Sequence, residues 1–126
     1  MPGKKGTLYV ITCFEKSRDY LFNILENAPK KFRYSFVRKI EQCLLEIDEC
    51  LITANRIRLE EEKERTDEQE KAKRKIAVLC SILRIAAKQS CISLSHYEQA
   101  SKLLSDTLLY LDKWRESDKK RRLSNT

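Results

Sequence analysis

Apolar residues recur along this chain at steps of three and four, the spacing that lines one face of an α-helix. The first row is Val10, Phe14, Leu21, Ile24 and Leu25, with Ser17 completing it, and it predicts a helix from Thr7 to Asn27. Pro29 ends that helix, because the residue before a proline disfavours helical geometry. A second, longer row runs through Phe36, Ile40, Cys43, Leu44, Ile47, Leu51 and Ala54. After Ile57 the chain is almost purely charged from Arg58 to Arg65. Those residues are good helix formers with nothing to bury, so the second helix is expected either to continue as a projecting arm or to fray there. Thr66-Asp67-Glu68-Gln69 reads as a capping box, a hydroxyl and an amide that satisfy free backbone donors reciprocally. It places the start of a third helix near Thr66, with Ala72, Ile76, Leu79, Cys80, Leu83 and Ala86 as its apolar face and an end near Gln89. Ser95-His96-Tyr97-Glu98 is a second such box and opens a fourth helix along Tyr97, Ala100, Leu104, Leu108, Leu111 and Trp114.

Four helices with one apolar stripe each, joined by short turns, predict an all-α fold: an antiparallel up-down-up-down four-helix bundle. A single domain is expected over residues 1–118, followed by a basic, disordered tail over residues 119–126 that contains Lys119, Lys120, Arg121 and Arg122. Glycine and proline support the helical reading. Only two of each occur in 126 residues, and all four precede Lys30. A β-sandwich or an α/β fold needs turn residues throughout.

Composition narrows the chemistry. Apolar residues make up 41% of the chain, enough for a core, and no run approaches the ~20 apolar residues of a membrane span. Met1 to Gly6 is basic, but Thr12, Glu15 and Lys16 interrupt the apolar stretch that a secretory leader would need. The five cysteines (Cys13, Cys43, Cys50, Cys80 and Cys91) are odd in number and include no Cys-x-x-Cys. Neither a disulfide framework nor a zinc site is signalled, and a reducing cytoplasm fits best. His96 is the sole histidine, so it has no second histidine for a di-iron bundle, and no glycine follows Gly6 to build a phosphate loop. No enzyme, no metal and no cofactor is expected.

The formal charge is +7, from 26 Lys and Arg against 19 Asp and Glu. Such an excess draws polyanions, or solvates a helical surface; composition alone does not choose. Clusters say more. Lys30, Lys31, Arg33, Arg38 and Lys39 lie at the start of the second helix with no acid among them. Lys71, Lys73, Arg74 and Lys75 open the third helix, and Arg84 and Lys88 follow on it. In the bundle, the two main clusters are expected at opposite ends of one protomer. Arg84 sits inside Ile82-Leu83-Arg84-Ile85-Ala86-Ala87, a segment apolar nearly all round. Either its stem packs while the head reaches water, or the second apolar face is an oligomer contact. Tyr9, Tyr20 and Phe22 likewise exceed one stripe on the first helix and point to self-association.

The ordered set of features resembles the Avd-like four-helix-bundle proteins, the accessory variability determinants of diversity-generating retroelements. Small four-helix proteins encoded in bacterial ribosomal RNA intervening sequences are related to them. The resemblance is carried by Pro29 and the basic stretch after it, by Arg38-Lys39-Ile40-Glu41 leading to Leu44 and Ala54, and by Leu79 to Ala86. Ile92-Ser93-Leu94-Ser95-His96-Tyr97 and the closing Trp114 complete it, so that it spans Leu8 to Trp114. The chain departs from the family in having Leu109-Tyr110-Leu111-Asp112 before Trp114, where small glycines are common, and in the length of its charged segment.

The resemblance implies a homopentameric ring with a basic surface. It also implies binding to a reverse transcriptase and to its template RNA, with cDNA as a further ligand, in support of mutagenic cDNA synthesis. Lys30, Lys31, Arg33, Arg38, Lys39, Lys71, Arg74, Lys75 and Arg84 are the candidate nucleic-acid-binding residues. The alternative is a stand-alone four-helix interaction protein of the intervening-sequence type, with no retroelement role.

Overall fold

The computed structural model describes residues 2–125, with side chains from Tyr9 to Asn125. Met1 and Thr126, the outer limits of the expected domain and tail, lie outside the described residues. The described chain is four helices without a strand: α1 (Pro2–Leu25), α2 (Arg38–Arg56), α3 (Glu62–Lys88) and α4 (Leu94–Ser124). A 3-10 turn at Lys30–Phe32 and one π-helical turn at Arg33–Val37 lead into α2.

The apolar rows form the core, with Phe36, Cys80, Tyr97 and Leu108 half-buried at its edge. Phe14, Leu21, Ile40, Leu44, Ile47, Ile76, Leu79, Leu83, Leu104, Leu111 and Trp114 are among the fully buried side chains. α1 packs chiefly on α4, and α2 on α3. The order of contacts is regular. As α1 is followed from Tyr9 through Ser17 to Tyr20, its partners on α4 go back from Tyr110 through Thr107 to His96. From Glu46 to Ala54 on α2, the partners on α3 go back from Lys75 to Arg65. From Arg65 through Glu70 to Lys73 on α3, the partners on α4 are Asp118, Arg115 and Asp112.

Tyr20 and Phe22, expected as surplus apolar surface, instead pack half-buried against this core. The Tyr20 ring meets His96 edge-on, with centroids 6.2 Å apart.

The helix boundaries differ from the sequence expectation at three places, each for a tertiary reason. α3 begins at Glu62, so Thr66 lies inside its second turn and caps nothing. The charged segment does have something to bury: Leu59 is buried in the α2–α3 turn, and Arg65 enters the interior to meet Asp118. Glu62 and Glu64 occupy the first turn, where carboxylates suit the positive end of the helix dipole.

α4 begins at Leu94, and Ser93, not Ser95, caps it; its hydroxyl accepts the His96 backbone N–H at 3.0 Å. Buried Cys91 and Ile92 anchor the preceding turn and set where the helix can start. That turn is a Schellman closure of α3. The Ser90 N–H donates to Ala87 O (3.1 Å) and the Cys91 N–H to Ala86 O (2.9 Å), with Ser90 at φ 64° in the left-handed region.

Finally, the expected disordered tail is helical through Ser124. Asp118 is fully buried, and Arg122 donates its Nε–H to Leu59 O at 2.9 Å, tying the end of α4 to the α2–α3 turn.

Candidate nucleic-acid interface

The basic segment after Pro29 owes its exposure to the residues between the cations. Pro29 has no N–H, and its extended backbone (φ −55°, ψ 138°) interrupts the helical path between α1 and the turns that follow. The Phe32 N–H then donates to Pro29 O at 3.0 Å and tightens the turn. Phe32, Phe36 and Val37 pack half-buried against the core, with the two phenyl centroids 5.7 Å apart. With those three facing inward, Lys30, Lys31, Arg33, Tyr34, Arg38 and Lys39 are left exposed. None of the five cations lies within ion-pairing distance of a described carboxylate. Lys31 Nζ sits 5.1 Å from the Phe32 ring centroid, a cation over an aromatic face. A shallow groove beside the segment is lined by Glu26, Lys30, Arg33 and Glu41.

The second cluster is electrostatically different. Lys71 and Arg74 are exposed and unpaired among the described residues, but Lys75 Nζ bonds Glu46 Oε1 at 3.0 Å. Lys73 Nζ reaches Asp112 Oδ1 at 3.3 Å. The hydrogen bond from Lys75, seconded by one from Gln42, holds the Glu46 carboxyl below the ordinary glutamate range. The same bond raises the Lys75 ammonium above its ordinary value. The charge of Lys75 is thus met within the fold.

Arg84 is exposed and makes no ion pair among the described residues. The pairing of Lys75 with Glu46 and of Arg65 with the end of α2 places it level with the start of α2. Arg84 and Lys88 therefore share an end of the molecule with Lys30 to Lys39. Lys71 to Lys75 lie only about 14–20 Å along the helix axis from Arg84 at ~1.5 Å per residue. They are not at the opposite end, because α3 starts at Glu62 and carries these residues into its middle turns.

The opposite end is an ion-paired junction. Arg65 donates to both oxygens of Asp118 (2.7 and 3.0 Å) and to Ile57 O (2.7 Å), and Gln69 Nε2 adds a 2.9 Å bond to Asp118. The Arg65 guanidinium carbon also lies 5.3 Å from the Trp114 ring. Sequence reading missed this network because Arg65 and Asp118 each stand in a charged run that looks solvated. It also passed over Tyr34, whose one visible signal is its place out of phase with Phe32 and Phe36.

For chemistry, the described residues offer little. No group of three or more His, Cys, Asp or Glu among them could hold a metal ion. Burial pushes the thiols of Cys43, Cys50, Cys80 and Cys91 up, so their reactive thiolates are disfavoured. No helix among the described residues is long and apolar enough to cross a membrane. No protein-family model matches the chain, and no curated protein matches it.

Proposed function

We propose that this chain is a non-catalytic, nucleic-acid-binding accessory protein of the Avd-like kind, acting in the cytoplasm. In this reading, an antiparallel up-down-up-down bundle assembles into a homopentameric ring that binds a reverse transcriptase and its template RNA. One observation carries the nucleic-acid part: five exposed cations from Lys30 to Lys39, none of them ion-paired to a described carboxylate. A fold gains nothing from holding like charges together, whereas a phosphate backbone does.

Self-association draws support from Leu45 and Ile52 on α2 and from Val78 and Ile85 on α3, spaced seven apart and about half exposed. Such a stripe outside the core calls for a partner. A ring would place the basic ends of neighbouring protomers along one continuous surface. The reverse-transcriptase part rests on the resemblance alone.

Binding of a labelled template RNA, followed by fluorescence anisotropy across a salt series, tests the reading. Neutralising five phosphates of a single strand predicts a log–log salt slope of about −3.5, or roughly 100-fold weaker binding from 50 to 200 mM salt. The triple change Lys30→Glu, Lys31→Glu and Arg33→Glu should weaken every sequence alike. Absence of binding at low salt, or binding indifferent to salt, overturns the proposal. Light scattering tests the ring: five copies of the 14.9 kDa chain give about 75 kDa. RNA binding by an oligomer that fails to capture a reverse transcriptase would favour the stand-alone alternative.

A further inference from the structure

We propose that Tyr34 is a base-stacking post, so that the basic end takes single-stranded nucleic acid in preference to duplex. The inference rests on the nucleic-acid reading above and narrows its ligand. Tyr34 is 82% exposed, the most exposed of the large apolar side chains among the described residues. Nothing in the fold uses it: no hydrogen bond, ring contact or cation contact involves it among the described residues. Its neighbours are all accounted for. Phe32 and Phe36 anchor the turn inward, and the Ser35 hydroxyl donates back to Phe32 O at 3.3 Å.

The π-helical turn at Arg33–Val37 therefore holds out one free aromatic ring between Arg33 and the pair Arg38 and Lys39, with Lys30 and Lys31 one turn before it. Single insertions of π geometry into helical chain are frequent at functional sites.

The chemistry of this combination is specific. Cations grip any phosphate backbone, duplex or not. An aromatic face adds nothing on a duplex, where the bases are stacked on one another. On a single strand each base has a free face, and stacking on one aromatic side chain strengthens binding by about 5- to 150-fold, with little regard to sequence. An apolar protein partner could also use a lone tyrosine, but its surface would not call for five cations without an ion pair around it. The charge decides for the polyanion. The hydroxyl of Tyr34 plays no part, so phenylalanine should serve as well.

The test compares wild-type protein with Tyr34→Ala, Tyr34→Leu and Tyr34→Phe, on a labelled 20-mer oligouridine and on a 20-base-pair RNA duplex, by anisotropy at several salt concentrations. Since Tyr34 contributes little to the core, all three should keep the helical circular dichroism and melting of the parent. Tyr34→Ala and Tyr34→Leu should each bind oligouridine about 5- to 150-fold more weakly with the salt slope unchanged, and the duplex as before; Tyr34→Phe should match wild type. Unaltered oligouridine binding by Tyr34→Ala, wild-type binding by Tyr34→Leu, or equal losses on duplex overturns the stacking role while leaving the electrostatic site in place. If the wild-type protein binds neither probe at low salt, the nucleic-acid reading itself has failed, and the stacking role with it.

Discussion

Replacing Asp118 with asparagine removes the anion from a buried ion-paired junction. Asp118 is fully buried and Arg65 is 5% exposed, so neither can turn to water when the other is lost. Asparagine keeps the shape, but one of its two terminal atoms becomes an N–H donor. That donor would face Arg65 Nη2 (now 3.0 Å from Oδ1) or, in the flipped amide, Arg65 Nε and Gln69 Nε2 at Oδ2. Donor faces donor at one of the two positions either way, and the buried guanidinium keeps only neutral acceptors, the remaining amide oxygen and the Ile57 and Ala54 carbonyls. Breaking one side of a buried pair typically costs about 3–5 kcal/mol, and the retained shape argues for the low end, about 3 kcal/mol. For a chain of this size, that lowers Tm by about 10–20 °C.

Urea unfolding followed by circular dichroism measures the loss, with Arg65→Met/Asp118→Leu as the control. That double variant removes both charges together, so it should stay within about 1–2 kcal/mol of the parent despite the Ile57 carbonyl losing its donor and the buried Gln69 amide its acceptor. A loss below about 1 kcal/mol in Asp118→Asn would show that the end of α4 frays into solvent and that the pair is not desolvated. A double variant as unstable as the single one would move the cause from charge to packing.

Two smaller perturbations address other joints. Ser90→Gly should stabilise the protein by about 0.5–1 kcal/mol, since relief of ~1–2 kcal/mol of left-handed strain outweighs the extra chain entropy of glycine. A lower Tm than wild type would contradict it. Glu46→Gln should flatten the acid limb of the stability–pH curve. The lowered carboxyl stabilises above the unfolded glutamate pKa, and that share is lost as pH falls through the folded one. The raised Lys75 contributes below its unfolded pKa and loses its share as pH rises through the folded one, at the alkaline end. Both groups are about a third exposed, so the difference at neutral pH should be only a few tenths of a kcal/mol. Parallel curves for the two proteins down to low pH would show that the pair is not formed in solution.

The stripes were legible because each helix faces a single core. Most residues at steps of three and four, from Val10 and Phe14 to Leu111 and Trp114, are the ones water leaves; Phe36, Cys80, Tyr97 and Leu108 from the same rows are only half-buried at the edge of the core. The boundaries were less legible because capping boxes are local and helix starts are not. Thr66 and Ser95 carry the right chemistry three residues before Gln69 and Glu98. Buried Leu59 and Arg65 in one case, and Cys91 and Ile92 in the other, nevertheless draw the helix start further upstream. The network around Asp118 could not be read at all, since Arg65 and Asp118 stand 53 residues apart and meet only when α3 and α4 pack. Of the site, the five cations after Pro29 were visible as an acid-free run, whereas the pairing of Lys75 with Glu46 and the isolation of Tyr34 depend on the packing of other helices.

The distribution of charge bears on the question that composition left open, whether the basic excess solvates or binds. Residues 30 to 39 hold five cations and no acid, +5 of a total of +7, so all the rest of the chain sums to +2. Away from that segment, the fold repeatedly spends its cations on acids: Arg18 on Asp48, Lys63 on Asp67, Arg65 on Asp118, Lys73 on Asp112, Lys75 on Glu46 and Arg115 on Glu70. A charge that served only to keep the protein in solution would work equally well dispersed, and would avoid the mutual repulsion of five cations within ten residues. Carboxylates were within reach of such a remedy. Glu26 and Glu41 line the groove beside Lys30 and Arg33, yet neither comes within pairing distance. The cations at this end thus make no direct ion pair with the acids nearby, and the same turn holds out an unused aromatic ring. Solvation requires neither feature, and a bound single-stranded polyanion would use both.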